Sequence, residues 1–256
     1  MKHKEIAKVI SQESIATGVY SMWIQTKDIA AKAVAGQFIS VYCKDGAKLL
    51  PRPISICEVN KEEGTLRIVY RVVGGGTTEM SGYVSGDDID ILGPLGNGFM
   101  QREGKKAILI GGGIGIPPMV QLGKKLKEIA EVQTVAGYRD ELFLIDELEK
   151  NGDVYIATED GSTGTKGTVI DAIKACAVTG DVIYACGPTP MLRAIKEYAL
   201  ANDIECQISL EEKMACGIGA CLGCVCKSKE KDHHTNVNNK RICKDGPVFL
   251  AQEVEL

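Results

Sequence analysis

The feature that most constrains this chain is a group of cysteines close to its C-terminal end. Cys216, Cys221 and Cys224 follow the spacing C-x4-C-x2-C, and Cys243 comes after eighteen intervening residues. This is the spacing of plant-type 2Fe–2S ligands, where a tight loop supplies three thiolates and a distant segment supplies the fourth. Glycines inside the loop accept positive φ and let backbone N–H groups approach the sulfurs. The sequence therefore predicts a 2Fe–2S cluster bound by these four cysteines.

Two alternatives to this ligand set stay open at the level of sequence. A structural zinc ion also takes four cysteines, although zinc sites more often space them as two C-x2-C pairs. Cys226 lies two residues after Cys224, and in an extended segment both side chains point to the same side. We expect Cys243 rather than Cys226 as the fourth ligand, because a remote ligand closes the loop and folds the tail back onto the body.

Length, composition and charge argue against several classes of protein. The chain has 256 residues, enough for two ordinary domains and a small module, and its 45% apolar and 25% charged content is that of a globular protein. A net charge of −4 argues against a nucleic-acid partner, and no apolar run approaches the roughly 20 residues of a membrane span. No signal-peptide pattern follows Met1, so we expect a cytoplasmic protein whose clustered cysteines bind metal rather than form disulfides.

Residues 1–100 show short apolar strands separated by turn residues, a pattern typical of an antiparallel β-barrel or sandwich. The predicted strands are 5–11, 19–23, 38–42, 52–57, 65–72 and 88–92. Residues 74–80 place glycines and a threonine at the start of a short helix, where free N–H groups can bind phosphate. A plain glycine-rich turn explains the same residues equally well. Arg52, just before an apolar strand, adds a guanidinium that can pair with a pyrophosphate.

Residues 101–205 alternate apolar strands with helical patterns, which indicates a parallel sheet covered by helices on both faces. The predicted strands are 106–110, 132–138, 153–158, 181–186 and, at the end, 206–210, and the predicted helices are 119–131, 142–150, 168–176 and 189–201. Ligands bind at the carboxyl ends of such strands. The glycine-rich turn 111–118 and the loop 186–191 therefore predict a nucleotide site.

Residues 206–256 are predicted to form a small cluster module. His233 and His234 lie there in a polar, charged run that is typical of a solvated loop rather than a metal site. The predicted fold is thus α+β and multidomain. It has an N-terminal antiparallel β-barrel, a central α/β parallel-sheet nucleotide-binding domain and a C-terminal 2Fe–2S module.

The motifs of the first two segments together resemble the ferredoxin reductase superfamily. Residues 52–55, the strand ending at Tyr70 and Arg71, and the Gly76-Thr77 pair are similar to its flavin domain, and residues 113–118 and 186–191 are similar to its nicotinamide motifs. The resemblance implies that FAD is bound by Arg52, Pro53, Ile54, Ser55, Val69, Tyr70, Arg71, Gly76 and Thr77. It implies that NAD is bound by Gly111, Gly113, Gly115, Pro118, Cys186, Gly187, Pro188 and Met191. Ile54 stands where many members have tyrosine, which leaves Tyr70 as the nearest aromatic candidate to cover the flavin.

The choice between NAD and NADP depends on the charges near the second strand of the nucleotide-binding domain. NADP calls for basic or hydroxyl groups around its 2′-phosphate. Arg139 follows that strand, but the acidic residues Asp140 and Glu141 come directly after it. We therefore expect NAD.

Over its whole length the chain resembles one family more closely, with the cysteine loop 216–226 as the distinctive feature. This family comprises the electron-transfer subunits of two-subunit, NAD-linked dihydroorotate dehydrogenases of pyrimidine synthesis. The resemblance implies one FAD and one 2Fe–2S cluster per chain, and a heterotetramer with two FMN-containing catalytic subunits. Electrons would pass from dihydroorotate through FMN, the cluster and FAD to NAD+. Cofactors carry such chemistry, so no side chain is expected to act as acid, base or nucleophile.

Two further functions stay open. A related relay subunit, of an NADH-dependent ferredoxin:NADP oxidoreductase or a sulfide dehydrogenase, shares the flavin and nicotinamide domains. A zinc-stabilised binding protein, whose nucleotide domain only senses redox state, fits the sequence if the cysteines hold zinc.

Overall fold

Six antiparallel strands in the first hundred residues close into a barrel. The computed structural model describes residues 2–231 and 236–256, so the predicted loop at His233 and His234 lies outside the described residues. The strands are β1 His3–Ala16, β2 Val19–Gln25, β3 Phe38–Tyr42, β4 Arg52–Asn60, β5 Thr65–Arg71 and β6 Asp88–Leu95. Their hydrogen-bonded order around the barrel is β1-β2-β5-β4-β3-β6. This confirms the predicted antiparallel barrel.

Alternation along the strands separates the inside of the barrel from its outside. Ile39 and Val41 of β3, like Ile68 and Tyr70 of β5, belong to the apolar cluster that fills the barrel. Phe38 belongs instead to a cluster shared with the second half of the chain. Successive side chains of a strand point to opposite faces. β3 therefore fills the barrel with one face and packs against the rest of the protein with the other.

Four barrel strands, β1, β2, β4 and β6, are longer than the sequence pattern predicts. β1 has fourteen residues, rather than 5–11, because it pairs with both β2 and β6 and bends at two register shifts. β6 continues through Gly93 and Pro94 instead of ending at Leu92. Proline is tolerated there because the pairing of β6 with β3 shifts register at this point.

A seven-stranded sheet forms the centre of the second half of the chain. The strands are β7 Lys106–Gly112, β8 Glu131–Tyr138, β9 Asp153–Thr158, β10 Thr165–Lys166, β11 Val182–Cys186, β12 Glu205–Ser209, the hairpin strands β13 Val225–Lys227 and β14 Asn239–Arg241, and β15 Val248–Leu250. All but the hairpin form one sheet in the order β10-β9-β8-β7-β11-β12-β15, parallel except for β15. This confirms the predicted α/β domain. The strand order reverses between β7 and β11, the kind of switch point at which open α/β sheets bind ligands.

Seven helices accompany the strands in the described part of the chain. They are α1 Ile29–Lys32, α2 Gly75–Met80, α3 Pro117–Leu126, α4 Ile145–Glu149, α5 Val169–Ala175, α6 Thr189–Ala201 and α7 Ile242–Asp245. α3 and α4 are shorter than the predicted helices 119–131 and 142–150. α3 is shorter because the chain must turn back before β8. α4 begins later because Leu144, just before it, adopts a left-handed φ of 63°. Among the described residues, no helix has the length and apolar character to cross a membrane.

The sheet takes in strands from beyond residue 205. β12 lies beside β11, and β15 pairs with β12 through Gln207 with Leu250 and Ser209 with Val248. The sequence does not predict β15, because three residues are too few to show a period. The segment predicted as a separate cluster module is thus built onto the sheet edge by its first and last parts.

A buried ion pair connects the barrel to the sheet domain. Arg67 of β5 is 7% exposed, and its guanidinium donates to Ser21 Oγ and to Glu147 Oε1 of α4, each at 2.8 Å. Burial alone would lower the pKa of Arg67, but the bond with Glu147 and the charges of Cys57, Glu147 and Glu58 together outweigh it and raise the pKa. The side chain of Gln121 on α3 also accepts the N–H of Val59 at 2.9 Å. These contacts fix the orientation of the two domains.

Replacing Glu147 with glutamine should destabilise the protein by about 1–3 kcal/mol, because the buried Arg67 charge then has a weaker partner. Urea unfolding of the purified protein measures the effect. Lys125→Gln is the matched control, since it breaks an exposed pair with Glu128 at 3.2 Å and should cost less than about 1 kcal/mol. Equal losses in the two variants would contradict the role given to Arg67.

Candidate functional site

A cavity of about 420 Å³ lies where the barrel, the sheet domain and the C-terminal segment meet. Eight of the nine residues predicted to bind FAD line it: Arg52, Pro53, Ile54, Ser55, Val69, Tyr70, Arg71 and Thr77. The ninth, Gly76, lies against the Arg52 side chain. The sheet domain contributes Gly115 and Cys186 to the same cavity. The structure thus brings the two predicted nucleotide motifs to one place.

Arg52 packs directly on the start of α2. A Cβ atom at Gly76 would lie 1.8 Å from Arg52 Nε, so glycine is needed for the guanidinium to take this position. Thr77 Oγ1 accepts the N–H groups of Val73 and Gly74 at 3.0 and 3.2 Å, which fixes the turn before the helix. A cation and an ordered turn therefore lie together at the cavity edge, an arrangement suited to a pyrophosphate.

Tyr70 lines the cavity but is only 1% exposed. Its ring stacks on Tyr20 with centroids 6.0 Å apart, and its hydroxyl donates to Gln12 Oε1 at 2.7 Å. Desolvation raises the pKa of the hydroxyl above its ordinary value, so Tyr70 is neutral. The residue is a fixed part of the cavity wall, and coverage of a flavin face by its ring stays a prediction.

The two predicted nicotinamide loops touch at the switch point of the sheet. A Cβ atom at Gly115 would lie 2.3 Å from the Cys186 carbonyl oxygen, and one at Gly112 would lie 2.4 Å from the Met191 sulfur. Glycine at both positions therefore lets the loops come into contact. Burial raises the pKa of the Cys186 thiol to about 12, so this cysteine is not a thiolate nucleophile at neutral pH.

The residues predicted to bind NAD divide into two groups. Gly111 packs against Ile116, and Pro118 is buried in the first turn of α3, so these two shape the turn and do not line the cavity. The remaining predicted residues outside the cavity wall are partly or fully exposed at the ends of β7 and β11: Gly113, Gly187, Pro188 and Met191.

Several cavity residues that the sequence analysis does not find lie at the end of β12 and directly after it. Ser209, Glu211 and Met214 all line the cavity. Their place in the cavity follows from the order of the strands, because Ser209 pairs with Cys186 and the carboxyl ends of β11 and β12 therefore lie side by side. Desolvation raises the pKa of Glu211, and the neighbouring charge of Glu212 raises it further.

The structure brings the four predicted cluster ligands together as two pairs. Cys221 lies close enough to Cys216 to help lower its pKa, and Cys224 lies close enough to Cys243 to help raise its pKa. Within the described residues, no three of these sulfurs lie within 4.8 Å of one another. Tetrahedral zinc with Zn–S bonds of about 2.3 Å needs all four sulfurs about 3.8 Å apart. Two pairs therefore fit two irons better than one zinc ion.

Cys243 and Cys226 differ in what they contact. The Cys243 N–H donates to Cys224 Sγ at 3.4 Å, and the preceding N–H, of Ile242, donates to the Cys224 carbonyl at 2.9 Å. The Cys226 thiol instead donates to the carbonyl of Lys240 across the β13–β14 hairpin at 3.6 Å. The contacts favour Cys243 over Cys226 as the fourth ligand.

Backbone N–H groups surround the first cysteine of the loop. Cys216 Sγ accepts the N–H of Ala220 at 3.3 Å and that of Ile218 at 3.5 Å. Burial alone would raise the pKa of this thiol, but these bonds and those from Cys221 outweigh it and lower the pKa to about 6. Cys216 is thus largely a thiolate at neutral pH, the form that binds metals.

The loop is also fixed from outside. Gly217 and Gly219 have φ values of 66° and 89°, which turn the backbone N–H groups towards Cys216. Arg241 Nη1 donates to the Gly219 carbonyl at 3.2 Å, and its guanidinium pairs with Asp245 at 3.0 Å. The protein therefore orders this loop with its own contacts.

Comparison with known proteins places the chain in a family. Residues 211–255 match the model of the iron-sulfur cluster binding domain of dihydroorotate dehydrogenase B. The dihydroorotate dehydrogenase B (NAD(+)) electron transfer subunit of Caldanaerobacter subterraneus subsp. tengcongensis is 44% identical, with 99% of both chains covered. The same subunit of Listeria monocytogenes serovar 1/2a is 47% identical, covering 97% of this chain and 98% of its own. The chain belongs to the dihydroorotate dehydrogenase B electron transfer subunit family. The resemblance seen in the sequence is confirmed.

Solved structures show the same fold. A chain of NADH-dependent reduced ferredoxin-NADP oxidoreductase superposes with a TM-score of 0.88 and 31% identity, covering 98% of this chain and 90% of its own. A ferredoxin NADP+ reductase from Neisseria gonorrhoeae, with bound FAD and NADP, gives a TM-score of 0.66 at 17% identity over 78% of this chain and 91% of its own. The electron transfer subunit family thus has a ferredoxin reductase-like fold. The matched iron-sulfur domain contains all four predicted cysteine ligands and also Glu211.

Glu211→Gln should raise the melting temperature slightly at pH 8 and leave it nearly unchanged at pH 4, the effect being small because Glu211 is partly exposed to solvent. A raised pKa means that the folded state holds this proton more tightly than the unfolded chain, so stability falls as pH rises from 4.5 through the raised value. Glutamine removes the charge that causes this loss. Thermal unfolding at both pH values measures the effect, with Glu62→Gln in an exposed turn as the control. Equal melting temperatures at pH 8 would contradict the assignment.

Proposed function

We propose that this chain relays electrons from a catalytic partner subunit to NAD+, as the electron transfer subunit of a dihydroorotate dehydrogenase. The observation that carries the proposal is the closeness of the two sites. Met214 lines the cavity, and Cys216 of the cysteine loop comes two residues later. Two residues span at most about 7 Å. A flavin in the cavity and a cluster in the loop would therefore share one wall, which supports electron transfer between them.

We assign FAD to the cavity. Its volume of about 420 Å³ lies in the range of cofactor sites, and its apolar walls with a few polar groups are typical of them. Arg52 would neutralise the pyrophosphate, and Gly76 makes room for that side chain. The other residues assigned to FAD are Pro53, Ile54, Ser55, Val69, Tyr70, Arg71 and Thr77.

We assign NAD to the loops at the ends of β7 and β11. These loops reach the cavity through Gly115 and Cys186, so a nicotinamide held there has access to the flavin site. The other residues assigned to NAD are Gly111, Gly113, Pro118, Gly187, Pro188 and Met191. Glu141 is held near Arg139 by accepting the N–H of Thr17 at 2.9 Å, and its negative charge disfavours a 2′-phosphate.

We assign a 2Fe–2S cluster to Cys216, Cys221, Cys224 and Cys243. When bound, FAD exchanges a hydride with NAD and single electrons with such a cluster. The protein holds both groups in place and shields them from water. Its buried Cys186 thiol and Tyr70 hydroxyl stay protonated, so neither is assigned a role as base or nucleophile.

We further propose a heterotetramer with two FMN-containing catalytic subunits, acting in pyrimidine synthesis in the cytoplasm. Apolar side chains are exposed around the cysteine loop: Ile218 is 44%, Leu222 49% and Val225 39% exposed. Such a surface beside a redox site supports contact with another protein. None of the ten cysteines is paired in a disulfide, which supports a reducing compartment.

A relay subunit of an NADH-dependent ferredoxin-NADP oxidoreductase is the second candidate. The 31% identical chain with a TM-score of 0.88 supports it. The 44% and 47% identities to dihydroorotate dehydrogenase B subunits favour the first candidate.

The purified chain should oxidise NADH with an artificial electron acceptor and should not oxidise dihydroorotate. Adding the catalytic subunit should produce dihydroorotate-dependent reduction of NAD+, followed as NADH formation. Dihydroorotate oxidation by the chain alone would contradict the relay role. Activity with reduced ferredoxin and NADP+, and none with dihydroorotate in the complex, would establish the second candidate instead.

Cys243→Ser should strip iron and acid-labile sulfide from the purified protein, because it removes one of four thiolate ligands. Cys226→Ser is the matched control and should keep both at the parent level, since Cys226 contacts the Lys240 carbonyl instead. Iron, sulfide and FAD per chain are measured in both variants. The reverse pattern would make Cys226 the fourth ligand, and zinc in place of iron in the parent protein would exclude the cluster.

A further inference from the structure

Ser40 is a buried polar residue whose hydroxyl has no partner in the described part of the chain. Its side chain is 0% exposed, and its Oγ has no hydrogen-bond partner among the described residues. An unpaired buried hydroxyl destabilises a folded protein, and alanine at the same position would avoid this loss. A serine here therefore points to an acceptor that the polypeptide does not itself supply.

The hydroxyl lies between the barrel and the cysteine loop. Ser40 alternates on β3 with Ile39 and Val41, which face the barrel interior, so its side chain points outward. Gly217 covers it from the other side, and a Cβ atom at Gly217 would lie 2.9 Å from Ser40 Oγ. Gly217 directly follows Cys216. The unpaired donor is thus in contact with the backbone of the cysteine loop.

The hydrogen bonds already made around the cysteine loop leave a place for a donor from the barrel. The N–H groups of Ile218 and Ala220 reach Cys216 Sγ at 3.5 and 3.3 Å, and both come from the loop itself. Arg241 and Lys2 contact loop carbonyls, at Gly219 and Ile218, rather than sulfurs. Ser40 is the side-chain hydroxyl of the barrel that lies against this loop.

We propose that Ser40 Oγ donates a hydrogen bond to an inorganic sulfide of the cluster. The inference rests on the proposed function, because it requires a cluster on these cysteines. Sulfur in such a site carries negative charge, and reduction increases that charge. A donated hydrogen bond therefore stabilises the reduced form and raises the reduction potential. Ser40, a residue of the flavin barrel, thus adjusts the reduction potential of the cluster.

The test compares reduction potentials of the intact protein carrying FAD and cluster. Anaerobic redox titration followed by electron paramagnetic resonance gives the cluster potential in the parent, Ser40→Ala and Ser40→Thr proteins. Ser40→Ala should shift the equilibrium between oxidised and reduced cluster about tenfold towards the oxidised form, a fall of about 59 mV for a one-electron couple. Ser40→Thr keeps the hydroxyl and should retain the parent potential.

A matched control removes another unpaired buried hydroxyl. Thr134 Oγ1 of β8 also lacks a partner, in a residue only 1% exposed, and β8 lies in the sheet away from the cysteine loop. Thr134→Val should leave the cluster potential unchanged.

Each outcome decides between the proposals. A cluster of unchanged potential in Ser40→Ala overturns this inference alone, and a parent protein without iron and sulfide overturns the proposed function as well. Loss of iron in Ser40→Ala but not in Ser40→Thr supports the hydrogen bond. Loss in both variants overturns it, because the hydroxyl would then not be what matters. A further measurement detects the hydrogen bond itself. After exchange into deuterated water, the reduced cluster of the parent protein should show magnetic coupling to the deuteron of the Ser40 hydroxyl. This coupling should be missing in Ser40→Ala.

Discussion

The covalent connection between β12 and the cysteine loop is the constraint on which the rest of the structure depends. Ser209 pairs with Cys186 at the switch point of the sheet, Met214 lines the cavity, and Cys216 begins the cysteine loop. A chain reaches at most about 3.6 Å per residue, so the position of β12 limits where the loop can lie. One segment of fewer than ten residues thus belongs to the proposed nicotinamide, flavin and cluster sites together.

The tail makes this arrangement rigid. Asn97, just after the barrel, accepts the N–H of Val248 at 3.0 Å and donates to its carbonyl at 2.8 Å. Leu210 donates to the Pro247 carbonyl at 2.9 Å. These bonds fix β15 to both β12 and the barrel, and α7, just before β15, carries Cys243 to the cysteine loop. The proposed fourth ligand is therefore positioned by the same contacts that close the sheet, which is why a distant cysteine can meet the three in the loop.

Local patterns in the sequence predicted most of the fold. Alternation in strands such as β3 predicted the barrel, and the strand–helix alternation predicted the parallel sheet. Motif residues predicted the cavity wall around Arg52, and the cysteine spacing predicted that Cys243 comes close to the cysteine loop. These features depend on residues that are close in sequence, or on a kind of site whose ligands have a characteristic spacing. Helix ends were less accurate, because α3 stops where the following strand must begin rather than where its pattern fades.

Features that depend on distant segments could not be predicted. β15 is a strand because β12 offers it an edge, and its three residues show no period of their own. Glu211 and Met214 line the cavity because of the sheet order, which the sequence does not state. Ser40 reads as an ordinary outward-facing strand residue, and only the contact with Gly217 shows that it is fully covered.

The central claim is that electrons move between a flavin in the cavity and a cluster on the four cysteines. The most direct measurement is anaerobic reduction of the purified chain with NADH, followed by optical absorption of the flavin and low-temperature electron paramagnetic resonance of the cluster. The account predicts that NADH bleaches the flavin and produces a reduced 2Fe–2S signal approaching one spin per FAD. Bleaching of the flavin with no cluster signal, in a protein that dithionite does convert to the reduced cluster, would contradict it.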